Sequence, residues 1–211
     1  THTRSEQKGT SDARRTDPIG ILEEAASGEP FRCADYAIVL SGALNAVGMP
    51  ARVVNLKMAD AETRTIGAGH SVAEAYLRDA KRWVMVDGQW DMIPLVKGKP
   101  ASVLELKKAI EARSASIAYA SGSGITPVEY QRWLGQYLYY MDTKLDQRIE
   151  GNNARMLMLV PSGGKMIRSF QRKPIRNMIY TTVPGIFYPK MVVGPAPVAQ
   201  TTTRAPVRTA G

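Results

Sequence analysis

The sequence has few of the residues that most often bind metals or cross-link chains. Cysteine occurs once among 211 residues, as Cys33, and histidine twice, as His2 and His70. A single cysteine excludes an intramolecular disulfide framework and any zinc site that needs several thiolates. Because His2 lies in a polar terminus, a multi-histidine metal site is disfavoured too. We therefore predict neither a metal nor another cofactor.

Long apolar runs are also missing. No stretch approaches the roughly 20 residues that a membrane helix needs, so we predict no transmembrane segment. The chain opens with polar residues from Thr1 to Arg15, which predicts no signal peptide and leaves the compartment open. Between the alternatives, we favour a periplasmic or secreted location over a cytoplasmic one.

Acidic residues are absent from the C-terminal part. Residues 1–150 hold 19 basic and 19 acidic residues, so the net charge of +9 lies entirely beyond Glu150. This part forms either a solvated basic face or a contact with an anionic surface, such as a cell-wall polymer, a phospholipid or a nucleic acid. The absence of a stacked-aromatic RNA motif and of a helix-turn-helix signal disfavours nucleic acid. The basic residues are Arg155, Lys165, Arg168, Arg172, Lys173, Arg176, Lys190, Arg204 and Arg208.

The remaining composition predicts one globular domain between two tails. With 44% hydrophobic and 22% charged residues, the chain is typical of globular proteins. Residues 1–17 are polar and predict a mobile N-terminal arm, and residues 194–211, rich in Pro, Thr and Ala, predict a disordered tail. The domain then covers residues 18–193, with a core at 20–95 and a C-terminal helix and strands at 100–193.

A helix is predicted to begin at Cys33, because apolar residues recur at spacings of three and four as far as Val47. Gly48 is a helix stop, and Pro50 prevents the helix from resuming. The later patterns predict strands at 52–58, 70–78, 82–87, 155–160, 166–170 and 178–183, and helices at 102–113 and from Thr126 to Met141. Mixed helices and strands of this kind indicate an α+β fold.

Cys33 at a helix N-terminus faces unpaired backbone N–H groups and the positive end of the helix dipole. Both favour the thiolate, which is the form that attacks an acyl carbon. The alternative is a buried, inert cysteine, which is a common fate for this residue. Cys33 alone does not decide between them.

The two strands that follow predict a partner for this thiol. If a tight turn lies at Asp79-Ala80, His70 and Asp87 fall on one face as diagonal neighbours, roughly 7–8 Å apart at the backbone. Their side chains can close that gap with a hydrogen bond, whereas a slip of one residue would move Asp87 to the opposite face. The register pairs Tyr76 with Trp83, Glu74 with Met85, and Val72 with Asp87.

These residues together predict a papain-type catalytic triad. Cys33 is the candidate nucleophile, His70 the base, and Asp87 the group that fixes the imidazole tautomer. Taken singly, His70 could be an ordinary strand-end histidine and Asp87 a turn former before Gly88. Their order on a helix start, a strand start and a neighbouring strand end favours the triad.

Four blocks of sequence resemble the transglutaminase-like superfamily, whose papain-like thiol enzymes include transglutaminases, peptide N-glycanases and many bacterial predicted proteases. They lie at 32–37 (RCADYA), 46–54 (AVGMPARVV), 69–77 (GHSVAEAYL) and 83–87 (WVMVD). The resemblance implies a papain-like fold, with the Cys33 helix packed on an antiparallel sheet that carries His70 and Asp87. It also implies a peptide or protein substrate and favours hydrolysis of peptide or isopeptide bonds.

Two features depart from that pattern. Residues 8–32 contain neither Gln nor Trp, so the sequence shows no second oxyanion donor beside the backbone N–H of Cys33. Val72 replaces an aromatic residue that the superfamily often has two positions after the histidine. Two other functions therefore stay open: protein-glutamine acyl transfer, and a non-catalytic domain that binds an anionic polymer.

An aromatic-rich segment follows Thr126. Core packing or bracing of a lid is favoured for it over a carbohydrate or peptide platform. Its members are Tyr130, Trp133, Tyr137, Tyr139 and Tyr140.

Overall fold

The computed structural model describes residues 17–28, 30–122, 124–147, 149 and 153–191. Apart from Asp17, the predicted arm at 1–17 and the predicted tail at 194–211 lie outside the described residues. The helices are α1 (Pro18–Ala26), α2 (Cys33–Ala46), α3 (Val103–Glu111), α4 (Pro127–Gly135) and α5 (Pro184–Phe187). The strands are β1 (Ala51–Lys57), β2 (Gly69–Leu77), β3 (Arg82–Val86), β4 (Met92–Val96), β5 (Lys99–Pro100), β6 (Ile117–Ser121), β7 (Tyr140–Lys144), β8 (Met156–Leu159), β9 (Ser169–Phe170), β10 (Lys173–Pro174) and β11 (Met178–Thr181).

Most strands join one mixed sheet with the order β11-β8-β7-β1-β2-β3. Its pairs are antiparallel except for β8 and β11, which run parallel. Strands β5, β4 and β6 form a smaller sheet, and β9 and β10 form a hairpin. The predicted α+β class is confirmed.

Helix α2 begins at Cys33 because the preceding Arg32 is extended and the Asp35 side chain accepts a hydrogen bond from the Arg32 backbone N–H, at 2.8 Å. It ends near Gly48, which has a φ of +80° that suits glycine. The helix packs on β1 and β2, where Asn45 bonds both backbone groups of Ala51 at 2.9 Å. Ala73 and Ala75 of β2 are buried.

The hairpin of β2 and β3 has the predicted register. Tyr76 pairs with Trp83 and Glu74 with Met85. The turn is closed by a 3.2 Å hydrogen bond from the Lys81 N–H to the Arg78 carbonyl. The alternation of side chains along both strands therefore places His70 and Asp87 on a common face.

The predicted helix from Thr126 to Met141 is too long. Helix α4 begins at Pro127, with the Thr126 side chain as its N-cap, but ends at Gly135. Residues from Tyr140 onwards form β7, which lies between β1 and β8 in the large sheet. Backbone pairing with two strands outweighs the helical spacing of the aromatic residues, because propensity is a weak constraint beside tertiary pairing.

One other predicted strand differs in extent, and two strands were not predicted. Of the strand predicted at 166–170, Ser169–Phe170 are paired, and β9 turns directly into β10. The sequence patterns also did not predict β4 and β6, which pair along their whole length. Asp91 lies in the turn before β4, with a φ of +53° and a side chain that accepts a hydrogen bond from the Gly122 N–H at 2.9 Å.

The main core lies between the large sheet and helices α3 and α4. It includes Val54, Leu56, Val72, Leu106 and Leu134, all fully buried. On the same sheet face, Arg52 and Glu74 form a buried ion pair at 2.8 Å. Within the described ranges, no helix has the length and apolar character needed to cross a membrane.

Candidate active site

His70 and Asp87 are in direct contact. Nε2 of His70 lies 2.7 Å from Oδ2 of Asp87, and the two side chains are almost fully buried, at 3% and 0% exposure. His70 is the second residue of β2, and Asp87 directly follows β3. The hairpin register thus brings together two residues that are 17 positions apart in sequence.

Asp87 receives hydrogen bonds on both of its oxygens. Oδ1 accepts from the backbone N–H groups of Gln89, at 3.1 Å, and Trp90, at 3.2 Å. Oδ2 accepts from the Tyr130 hydroxyl at 2.8 Å, in addition to its contact with His70. A carboxylate with this many donors is held in one orientation, and the donors offset the cost of burying its polar oxygens.

Cys33 lies at the first turn of α2, partly buried beside His70. The end of β3 lies against the same helix, since a Cβ atom added at Gly88 would stand 3.4 Å from Leu40 Cδ2. Because Nε2 of His70 is directed at Asp87, Nδ1 is the nitrogen that remains for the thiol. Burial raises the pKa of Cys33, but the hydrogen bond and charge of His70, together with backbone hydrogen bonds from Ser71 and Ala34, outweigh it, so the pKa is lowered overall.

The pKa of His70 shifts in the opposite direction. Burial alone lowers it, but the negative charge and hydrogen bond of Asp87, together with the interaction with Cys33, raise it to about 9. A lowered thiol pKa next to a raised imidazole pKa favours the thiolate–imidazolium pair over the neutral pair. This is the charge state that a thiol nucleophile requires.

Aromatic rings enclose the imidazole. The ring of Trp133 meets His70 edge to face, with centroids 4.7 Å apart, and Tyr137 lies at 6.1 Å. Burial and the neighbouring Asp87 charge raise the pKa of Tyr130 well above its usual value. Tyr130 therefore remains a neutral hydrogen-bond donor to Asp87 at any physiological pH.

A second polar network lies behind the nucleophile, on β1, β2 and β7. The backbone of Ser71 hydrogen-bonds the Cys33 thiol, and the Ser71 hydroxyl donates to Asn55 Oδ1 at 2.9 Å. Asn55 in turn donates to Asp142 Oδ1 at 3.0 Å, and Asp142 forms a buried ion pair with Lys57. This chain of contacts fixes the strand that faces Cys33.

The sequence patterns predicted Cys33, His70 and Asp87, and the structure brings all three together. They did not predict that Tyr130 and Trp133 contact this site. The spacing of the aromatic residues after Thr126 predicts one packed face, which favours core packing or bracing of a lid. No signal in the sequence showed that this face meets His70 and Asp87.

No group of three metal-ligating side chains occurs in the part of the chain that the structure describes. The other buried charged cluster near the sheet is satisfied from within the protein. Glu74 accepts from Arg52, from the Val103 N–H at 2.9 Å and from the Tyr188 hydroxyl at 2.8 Å. Arg52 also donates to the Phe187 carbonyl at 2.8 Å. This cluster fastens α5 and the start of α3 to the sheet and has a structural role.

Comparison with known families bears on the same residues. The family model of the transglutaminase-like superfamily matches residues 3–88. The match confirms the resemblance to this superfamily, which includes cysteine peptidases and acyltransferases. Its range ends one residue after Asp87 and so contains Cys33 and His70. No curated protein and no solved structure matched the chain.

Proposed function

We propose that this protein is a thiol-dependent hydrolase that acts on amide bonds, peptide or isopeptide, through a Cys33–His70–Asp87 triad and an acyl-enzyme. The observation that carries the proposal is the position of His70. Its Nε2 is held by Asp87 at 2.7 Å, and its other side faces a thiol at a helix N-terminus. The superfamily match supports cysteine-dependent chemistry in general.

In the first step, the Cys33 thiolate attacks the carbonyl carbon of the amide and forms a tetrahedral intermediate. The backbone N–H of Cys33, at the positive end of α2, is the donor best placed for the oxyanion. The imidazolium of His70 then gives its proton to the leaving amine. The C–N bond breaks, and a thioester to Cys33 remains.

In the second step, neutral His70 takes a proton from water, which attacks the thioester carbon. The acid product leaves, and the Cys33 thiolate and His70 imidazolium form again. Asp87 holds the imidazole in one tautomer throughout and stabilises its positive form. Trp133 packs edge to face against the imidazole and supports its orientation.

An amine could replace water in the second step, which would make the protein a protein-glutamine acyltransferase. Hydrolysis and acyl transfer would use the same residues of this site in the same roles. They are distinguished by mixing the protein with a glutamine-bearing peptide and a fluorescent primary amine. Incorporation of the amine would identify acyl transfer, whereas release of shortened or deamidated peptide would identify hydrolysis.

The test of the proposal is the rate of Cys33 alkylation by iodoacetamide as a function of pH, in the native chain and in His70→Ala. Because the chain has one cysteine, the signal comes from one site. We expect fast alkylation well below pH 8 in the native chain, and its loss in the variant. Alkylation that follows a free thiol of pKa about 8.5 in both proteins would instead indicate a non-catalytic binding domain.

A further inference from the structure

A hairpin in the basic C-terminal part lies directly beside the candidate active site. The segment 165–176, here called the basic hairpin, contains β9, β10 and the turn between them. The ring of Phe170 would stand 3.0 Å from a Cβ atom added at Gly69, the residue before His70. The same ring lies 5.2 Å from Lys57 Nζ. The hairpin therefore borders the strand end that carries His70.

The turn of the basic hairpin is held in a fixed conformation. Gln171 and Arg172 both have positive φ, 49° and 63°, as in the turn that matches the twist of a two-residue hairpin. A residue other than glycine has a strained backbone at positive φ. It keeps this conformation only where the surrounding structure holds it in place. Here the N–H of Gln171 donates to the Ala61 carbonyl at 2.7 Å, and that of Arg172 to the Glu62 carbonyl at 3.1 Å.

The loop between β1 and β2 completes this attachment. The Glu62 side chain accepts from the Arg168 N–H at 2.7 Å and from Lys165 at 2.8 Å. Arg172 also donates through Nε to the Thr63 carbonyl at 3.0 Å. The loop that leads into His70 and the basic hairpin thus form one hydrogen-bonded unit, so the surface keeps its shape before any ligand binds.

Five cationic side chains of this unit are exposed: Lys165, Arg168, Arg172, Lys173 and Arg176. Glu62 pairs with Lys165. Among the described residues, none of the other four cations has a carboxylate within ion-pair distance. Three of the five are arginines, whose planar fork matches a carboxylate with two parallel hydrogen bonds. The result is a rigid cationic surface at one edge of the site.

We propose that the basic hairpin binds an acidic stretch of the polypeptide substrate, next to the amide bond that reaches Cys33. This inference rests on the proposed function. The hairpin lies beside His70, so the chain that occupies it most readily is the chain whose amide is being cleaved. Carboxylate side chains supply the negative charge that the arginines and lysines match. The substrate class is therefore acidic peptides or proteins.

The experiment measures binding of a short fluorescein-labelled oligo-glutamate peptide by anisotropy, with oligo-glutamine as the neutral probe. The test variant is Arg168→Gln/Lys173→Gln/Arg176→Gln in the full chain. The matched control removes three exposed lysines of the smaller sheet and the β2–β3 turn, Lys81→Gln/Lys97→Gln/Lys99→Gln. Since exposed ion pairs each contribute a few-fold at most, we expect Kd to rise about tenfold in the test variant and less than about twofold in the control.

A second readout locates the bound peptide. Oligo-glutamate should slow alkylation of Cys33 in the native chain, and this shielding should be lost in the test variant. Equal loss of binding in both triple variants would overturn the proposal, because net charge alone would then explain it. Binding without shielding would also overturn it, as would tighter binding of phosphatidylglycerol vesicles or single-stranded DNA through the same residues.

Failure of the proposed function would have a different signature. If alkylation without peptide followed a free thiol at every pH, the triad chemistry would be refuted. Binding and shielding by oligo-glutamate could still depend on the basic hairpin in that case, which would leave an acidic-peptide binding surface without catalysis. Alkylation without peptide therefore tests the triad, and oligo-glutamate binding tests the basic hairpin, so each proposal can be refuted without the other.

Discussion

Replacing Asp87 by asparagine is the most direct perturbation of the candidate triad, because it removes one charge and conserves shape. The amide oxygen can keep the hydrogen bonds that Oδ1 receives from the N–H groups of Gln89 and Trp90. The amide nitrogen would then occupy the position of Oδ2 and donate to His70 Nε2. That forces the imidazole proton onto Nδ1, the nitrogen that must take the proton of Cys33.

The size of the effect follows from the pKa of His70. The charge and hydrogen bond of Asp87, together with the interaction with Cys33, raise this pKa from its ordinary 6.5 to about 9 against the effect of burial. The shift corresponds to roughly 3 kcal/mol in favour of imidazolium, and Asp87 is the larger of its two sources. Without the charge, burial would lower the pKa of His70, and the thiol would lose its cationic partner. At pH 6.5 a thiol of pKa about 8.5 is only about 1% thiolate.

The assay is iodoacetamide alkylation at pH 6.5. The lowered pKa of Cys33 raises the thiolate fraction at this pH by at most about a hundredfold over a free thiol. The lower basicity of such a thiolate reduces its nucleophilicity and offsets part of this gain. We therefore expect Asp87→Asn to react about tenfold more slowly than the native chain. Asp91→Asn is the matched control, since its side chain bonds the Gly122 N–H away from His70. An unchanged rate in Asp87→Asn, or an equal loss in the control, would refute the role of Asp87.

Two further substitutions separate the site from the framework. Tyr130→Phe removes the hydroxyl that donates to Asp87 at 2.8 Å. We expect the free energy of unfolding in urea to fall by about 1–2 kcal/mol and the pH profile of Cys33 alkylation to shift. A wild-type pH profile would count against a role of this contact in the site. Glu74→Gln leaves Arg52 buried without its counter-charge, so we expect about 3–5 kcal/mol of destabilisation. The half-exposed Glu105 is its control, and Glu105→Gln should cost less than about 1 kcal/mol; similar losses at both positions would contradict the reasoning.

The sequence by itself determined the placement of the three candidate catalytic residues. A helical spacing that ends at Gly48 and Pro50 sets α2 and leaves Cys33 at its first turn. A tight turn at Asp79-Ala80 sets the register of β2 and β3, and side chains alternate with a period of two, so a slip of one residue would move Asp87 to the face opposite His70. Once that register is set, His70 and Asp87 must be neighbours. Local chain geometry is sufficient for both results.

Only the tertiary structure decided what surrounds these residues. Tyr130 hydrogen-bonds Asp87 although the two are 43 positions apart in sequence. The ring of Phe170 packs beside Gly69 across a still longer sequence separation. Strand β7 lies between β1 and β8 although Met141 continues the helical spacing of Tyr130, Trp133 and Tyr137. Such contacts join segments separated by long connections, so they depend on which faces pack together. A single sequence contains no periodicity that encodes this choice, because many pairings of apolar faces bury similar areas.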